Sequence, residues 1–166
     1  MDTPITIGIS ACLFGKNTRY DGGSRHEPLL MEALGQFVNL VPLCPEAECG
    51  LGIPREPMRL EGNPENPRLM TITTRSDLTG QLRSWSAQRL DTFRDEALAG
   101  LILKSRSPSC GKQVVVHGKG NGETGYSPGL FVRLIQKRFP GLPIADEEEL
   151  RDPARLADFL ARLPSR

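Results

Sequence analysis

Gly100-Leu101-Ile102-Leu103-Lys104-Ser105-Arg106-Ser107-Pro108-Ser109-Cys110-Gly111 changes character half-way. A short apolar run without alternation gives way to a loop of serines, an arginine, a proline and a cysteine. An unbroken apolar run of strand length, bounded by turn formers, suits a strand buried on both faces. The same succession occurs twice nearer the N-terminus. Ile5–Ser10 is a β-branched run that stops at small residues and Cys12, and Phe37–Leu43 ends on Cys44-Pro45-Glu46.

Helical segments separate these runs. Pro28–Leu34 has helical spacing and composition and is closed by Gly35, at a position that favours a left-handed residue. From Leu78, apolar residues at Leu82, Trp85, Leu90, Phe93 and Leu98 follow one face of a helix, with Ser76 or Asp77 as its cap. Pro128–Phe139 and Asp152–Leu163 read as two further helices, and Leu142–Ala145 as a last short strand. Leu69–Thr73 is strand-like, Val114–His117 is a strand or hairpin arm, and Gly118–Gly125 is expected to be a mobile loop. Gly50–Pro67 carries Pro54, Pro57, Pro64 and Pro67 and is expected to form a long ordered loop without regular helix or central strand. Strands alternating with helices predict the α/β class: a single-domain, Rossmann-like sandwich over residues 1–166. Its sheet should be mostly parallel, with about four or five strands, flanked by helices joined through right-handed crossovers.

Composition narrows the functional classes. The chain has 38% hydrophobic and 25% charged residues, as an ordinary globular protein does. Lys and Arg total 21 against 20 Asp and Glu, a net charge of +1, which disfavours extended nucleic-acid binding. No apolar run approaches the roughly 18–20 residues of a membrane span. The start, MDTPITIGIS, has no secretory apolar region, so a cytoplasmic, reduced protein is expected and its thiols need an account other than disulfides.

In an open parallel sheet, the carboxyl ends of the strands border one crevice. Cys12, Cys44 and Cys110 all lie just beyond strand ends and are expected to converge there, although their spacing resembles neither a zinc knuckle nor a ferredoxin run. Two metal readings follow from the residues. Zinc could be closed by four sulfurs, because Pro45-Glu46-Ala47-Glu48 is a workable chelate loop between Cys44 and Cys49. Alternatively, three thiolates could hold an iron–sulfur cluster and leave one iron open.

Ile9-Ser10-Ala11-Cys12-Leu13, Arg19-Tyr20-Asp21-Gly22, Cys44-Pro45-Glu46, Gly50–Arg55 and Leu103–Gly111 together resemble the motifs of the thiouracil desulfidases, also called thiouracil desulfurases. The resemblance runs from Ile5 to about Pro143. It implies a [4Fe-4S] cluster held by Cys12, Cys44 and Cys110, with one iron not ligated by protein. Cys49 is a departure from the family pattern and is read as a bystander.

The chemistry implied is hydrolytic and non-redox: a thiolated uracil, as base, nucleoside or nucleotide such as thio-UMP, exchanges its sulfur for oxygen and releases hydrogen sulfide. Iron is thiophilic and polarises C=S, and water addition then needs a general base and donors for the developing charge. Glu46 is the first choice for acid/base work, Asp21 the second and Glu48 the third. Ser105, Arg106, Ser107 and Ser109 form a donor-rich loop for the pyrimidine, with Ser107 and Ser109 also able to orient water. Arg19, Tyr20 and Arg55 could stack on a base or receive a phosphate; Arg59 could do so or form a surface salt bridge. His26 and His117 are read as structural or peripheral. Two rival functions are a sulfurtransferase or carrier with a persulfide on Cys110, and a non-catalytic, metal-containing nucleotide-binding module.

Overall fold

In the computed structural model, which describes residues 4–164, β1 (Ile5–Ser10) occupies an interior position of a parallel sheet. The ends of the expected unit, residues 1–3 and 165–166, lie outside the described residues. β2 (Val38–Leu43) pairs with one side of β1 and β5 (Leu98–Leu103) with the other, and β8 (Ile144–Asp146) pairs with β5. The α/β class and the mostly parallel sheet are as read.

The helices are α1 (Pro28–Gly35), the single turn α2 (Pro45–Glu48), α3 (Thr79–Asp91), α4 (Leu130–Arg138) and α5 (Pro153–Arg162). Both faces of the sheet are covered, which explains why its strands are apolar without alternation. On one face Ile7, Ile9 and Ile102 pack with Leu30 and Leu34 of α1 and Phe159 of α5. On the other, Leu43, Leu101 and Leu103 pack with Leu90 of α3 and with Phe131, Val132 and Ile135 of α4. The ring of the fully buried Phe131 lies 5.4 Å from Trp85 and meets Phe93 edge-on at 6.1 Å. Among the described residues, no helix is long and apolar enough to cross a membrane.

The structure corrects several local expectations. Gly50–Pro67 is not all loop: it contains β3 (Met58–Asn63) and the start of β4 (Asn66–Thr71), which form an antiparallel hairpin. Pro54 and Pro57 precede it, Pro64 lies in its two-residue turn, and Pro67 is on an edge strand, where a missing N–H is tolerated. β6 (Val114–His117) joins this hairpin in parallel, and β7 (Glu123–Ser127) completes a second sheet ordered β4-β3-β6-β7. The expected mobile loop Gly118–Gly125 is therefore a 3-10 turn followed by the start of β7. Leu60, Leu69, Val114 and Val116 of this sheet pack with Leu82 of α3 and Leu130 of α4. Gly35 closes α1 without a left-handed backbone. Leu98 belongs to β5 rather than to the preceding helix, because the chain leaves α3 at Thr92 and turns through Ala97 at φ +52.

One contact ties the cysteine loop to this core. The amides of Leu130 and Phe131, at the start of α4, donate to the carbonyls of Pro108 and Ser109, and that of Gly129 donates to Gly111. A Cβ at Gly129 would lie 2.5 Å from the carbonyl carbon of Ser109 and 2.9 Å from the nitrogen of Cys110. Gly129→Ala must therefore push the loop off the helix. We expect a loss of about 1–3 kcal/mol, as for other overpacked interiors, measured by chemical denaturation.

Candidate active site

A cavity of about 650 Å³ opens at the carboxyl ends of the parallel strands. Each strand delivers part of its wall: Ser10 ends β1 and Cys12 follows it, Cys44 and Glu46 follow β2, Lys104–Ser107 follow β5, and Glu147 follows β8. α1 and α5 cover one face of the sheet and α3 and α4 the other. The crossovers thus change face between β1 and β5, where chain ends diverge and leave a crevice.

Cys12, Cys44 and Cys110 all line the cavity. Cys12 is 8% exposed and Cys110 5%. Burial pushes the Cys12 thiol up to about 11; Cys44 raises it further, while Arg19 and Lys104 oppose the shift. Burial, Cys44 and Glu46 raise the Cys110 thiol as well. Ionising both would need a positive centre between them, which is what thiolate-ligated iron supplies. Among the described residues, no three Cys, His, Asp or Glu side chains are gathered closely enough to hold a single ion. Three thiols lining one cavity are the donor set that an iron–sulfur group takes. All four cysteines are free thiols.

Cys49 does not line the cavity. It caps the C-terminus of α2, its Sγ lies 3.5 Å from the Glu46 carbonyl, and it packs against the core formed by the second sheet, α3 and α4. The intervening turn of helix separates it from Cys44. Glu48 accepts a hydrogen bond from the Cys44 amide at 2.7 Å and braces the start of that turn rather than the cavity.

Glu46 lines the cavity beside Arg55, with 3.7 Å between its carboxylate and the guanidinium. Burial pushes its carboxyl above the usual carboxylate range, and Arg55 and the Ser109 hydroxyl pull the other way. Ser109 is fully buried and does not line the cavity; its hydroxyl donates to Glu46 at 3.2 Å and lies 3.0 Å from that of Ser107, which does. Ser107 Oγ also accepts from the Cys110 amide at 3.1 Å, so the serine and cysteine are set by the same turn.

Arg19, Tyr20, Arg55, Ser105 and Arg106 line the cavity too. Arg55 is 94% buried by its 6% side-chain exposure, and the Nε atoms of Arg19 and Arg55 and the hydroxyl of Thr18 are buried without hydrogen-bond partners among the described residues. Such orphaned donors on a cavity wall suit an anion or carbonyl oxygen. Asp21 is outside the lining; it accepts from the Gly23 amide at 2.9 Å and holds its own turn. Arg59 lies 3.3 Å from Glu61 on the second sheet. His26 lines the cavity and His117 does not.

Lys104 and Glu147 were not singled out as site residues from the sequence, yet they form part of the cavity wall. Lys104 sat in the quoted strand-end motif, which was a usable signal. Glu147, in the acidic run Asp146–Glu149, carried none, because its place depends on β8 pairing with β5.

A family model described as 2-thiouracil desulfurase matches residues 7–147. The uncharacterized protein YbbK of Bacillus subtilis (strain 168) is 28% identical over 151 residues, which cover 88% of this chain and 98% of that protein. A solved structure described as the [4Fe-4S]-dependent thiouracil desulfidase TudS is similar with a TM-score of 0.73 and 29% identity, covering 94% of this chain and 99% of that one. The matched span holds all four cysteines, Glu46, the serine loop and Glu147, and the chain belongs to the 2-thiouracil desulfurase family.

Proposed function

We propose that this chain, as one desulfidase unit in a reducing cytoplasm, hydrolyses thiolated uracil to its carbonyl counterpart and hydrogen sulfide. The observation that carries the reading is the meeting of three strand-end thiols with a desolvated carboxyl in one cavity. In the balanced reaction, C=S becomes C=O, both hydrogens of one water leave with the sulfur, and no electrons are transferred.

Cys12, Cys44 and Cys110 would hold a [4Fe-4S] cluster, leaving one iron without a protein ligand. When bound, that iron supplies a thiophilic Lewis acid for the exocyclic sulfur. Glu46 takes a proton from the attacking water, which Ser107 orients. Ser109 joins the two by hydrogen bonds and keeps the Glu46 carboxylate aimed. On the opposite role, Arg19, Tyr20 and Arg55 take the ring substituents or the phosphate of a thio-nucleotide, and Arg106, paired with Glu148, stands at the same cavity. A persulfide-forming Cys110 would need a lowered pKa and access, whereas burial raises this thiol.

The test is anaerobic reconstitution with iron and sulfide, followed by visible absorbance and sulfide release from 2-thiouracil, 4-thiouracil and thio-UMP. A colourless protein that binds zinc tightly would overturn the cluster reading, and a coloured one that releases no sulfide would overturn the activity.

Cys12→Ser, Cys44→Ser and Cys110→Ser should each lose the cluster absorbance and turnover, while Cys49→Ser keeps both; iron content per chain checks this. Glu46→Gln should retain the absorbance and lose about 100-fold or more in kcat, the scale of a general base. Since Glu46 acts in its ionised form and its carboxyl is raised above the ordinary 4.5, kcat/KM should climb with pH through a limb displaced upward from that value. The limb should vanish in Glu46→Gln. Arg19→Gln should raise KM for thio-UMP about tenfold, as expected for one charge-assisted phosphate contact, and leave free thiouracil nearly unchanged in steady-state kinetics.

A further inference from the structure

Glu147 is the one charged residue in the fully buried set among the described residues, at 2% exposure, and the chemistry above does not use it. Its carboxylate accepts three hydrogen bonds: from the Ser105 amide at 2.8 Å, the Ser105 hydroxyl at 2.6 Å and the Lys104 ammonium at 2.7 Å. Lys104 in turn donates from its amide to the Ser10 hydroxyl at 2.8 Å, and from its ammonium to Ser105 O and Oγ at 3.1 Å each. The carboxylate beyond β8 thereby holds the outgoing end of β5, and the Lys104 amide links that end to Ser10 at the end of β1.

The residue after this knot is under backbone strain. Arg106 adopts φ +62, a left-handed conformation that a non-glycine residue holds only when its flanks impose it. One flank is Ser105, gripped by Glu147 through both its amide and its hydroxyl. The other is Ser107, whose Oγ receives the Cys110 and Ser109 amides. Burial works against the Glu147 charge, but the bonds from Lys104 and Ser105 outweigh it and hold the carboxyl below its usual range. It therefore remains an acceptor for all three donors at neutral pH.

We infer that Glu147 is a positioning residue for desulfuration: its buried carboxylate fixes the Lys104–Ser105 step so that the turn at Arg106 delivers Ser107 and Cys110 to the cavity that holds Glu46. What Ser107 then does rests on the desulfidase reading; that Glu147 sets its place does not. The Ser105 hydroxyl, already donating to Glu147 and accepting from Lys104, acts here as part of the clamp rather than as a substrate contact.

Glu147→Gln separates this role from space filling. The amide has the same shape but one oxygen acceptor and one NH2 donor, so at least one of the three donors facing residue 147 is left against another donor. The reconstituted holoenzyme should lose about tenfold in kcat, the scale of one lost hydrogen bond to a charge, with KM within about twofold of wild type and iron content unchanged. Ser105→Ala, which removes one of the three bonds, should show a smaller loss in kcat with the same KM. In the apo protein, a thiol-reactive dye with peptide mapping should label Cys110 faster in Glu147→Gln.

Unchanged kcat and unchanged Cys110 labelling in Glu147→Gln would overturn the inference, as would a Ser105→Ala variant that raises KM at constant kcat. Loss of iron in proportion to activity would also overturn it, by making Glu147 a determinant of cluster retention. If Glu147→Gln fails to fold by circular dichroism, Ser105→Ala alone decides. If the wild-type holoprotein releases no sulfide, the desulfidase reading fails while the labelling rate still tests the clamp.

Discussion

The cysteine loop has no secondary structure of its own, and its shape is imposed by the start of α4. Amides of Gly129, Leu130 and Phe131 take the carbonyls of Gly111, Pro108 and Ser109, and the bare Cα of Gly129 lets the Ser109–Cys110 peptide approach closely. The helix is itself anchored by Phe131, Val132 and Ile135 in the core that covers β5. The position of Cys110 is thus transmitted from the hydrophobic core through backbone hydrogen bonds, which tolerate little drift. Removing these bonds would leave the loop held from its strand side, by Glu147, and by its own turn.

The polar side of the same loop is shaped by opposed charges. Glu147 faces Lys104, Glu148 faces Arg106, and Glu149 pairs with Lys112 at 2.9 Å. Successive acidic residues beyond β8 therefore meet successive basic positions around the loop. In the same cavity, Glu46 is paired with Arg55, and burial outweighs that pairing in setting its proton affinity. Two carboxylates at one cavity are driven apart in character. Glu147 is held ionised by close donors, and Glu46 is made more basic by desolvation, a division that suits the holding role inferred for one and the proton handling proposed for the other.

Local pattern carried the parallel sheet because its central strands β1 and β5 are short, largely apolar runs that stop at turn formers, and burial on both faces removes the need for alternation. On the second sheet it found β6 and the end of β4 but missed β3 and β7. β3 and β4 are interrupted by glycine and prolines whose penalties vanish at a turn and an edge, and whether a strand is an edge is decided only by its neighbours. The glycines around β7 hid a strand for a similar reason, since pairing with β6 compensates for weak propensity. Among the polar residues, Asp21 and Glu48 carry carboxylates close in sequence to motif residues, but each accepts from a nearby backbone amide and neither lines the cavity. Ser109 reaches Glu46 from behind the cavity wall rather than lining it.

What the amino-acid sequence determined by itself was the set of strand ends and the residue types placed on them: Cys12 after β1, Cys44 and Glu46 after β2, and Ser107 and Cys110 after β5. Those are local properties, set by apolar run length and by where turn formers stop it. Only the tertiary structure decided that Cys49 lies behind a turn of helix, that Ser109 bridges Ser107 and Glu46, and that Glu147 grips Ser105 across 42 positions of chain. These depend on which strands become neighbours and how helices seat on them, and no short window of sequence holds the free energy of packing that chooses those partners.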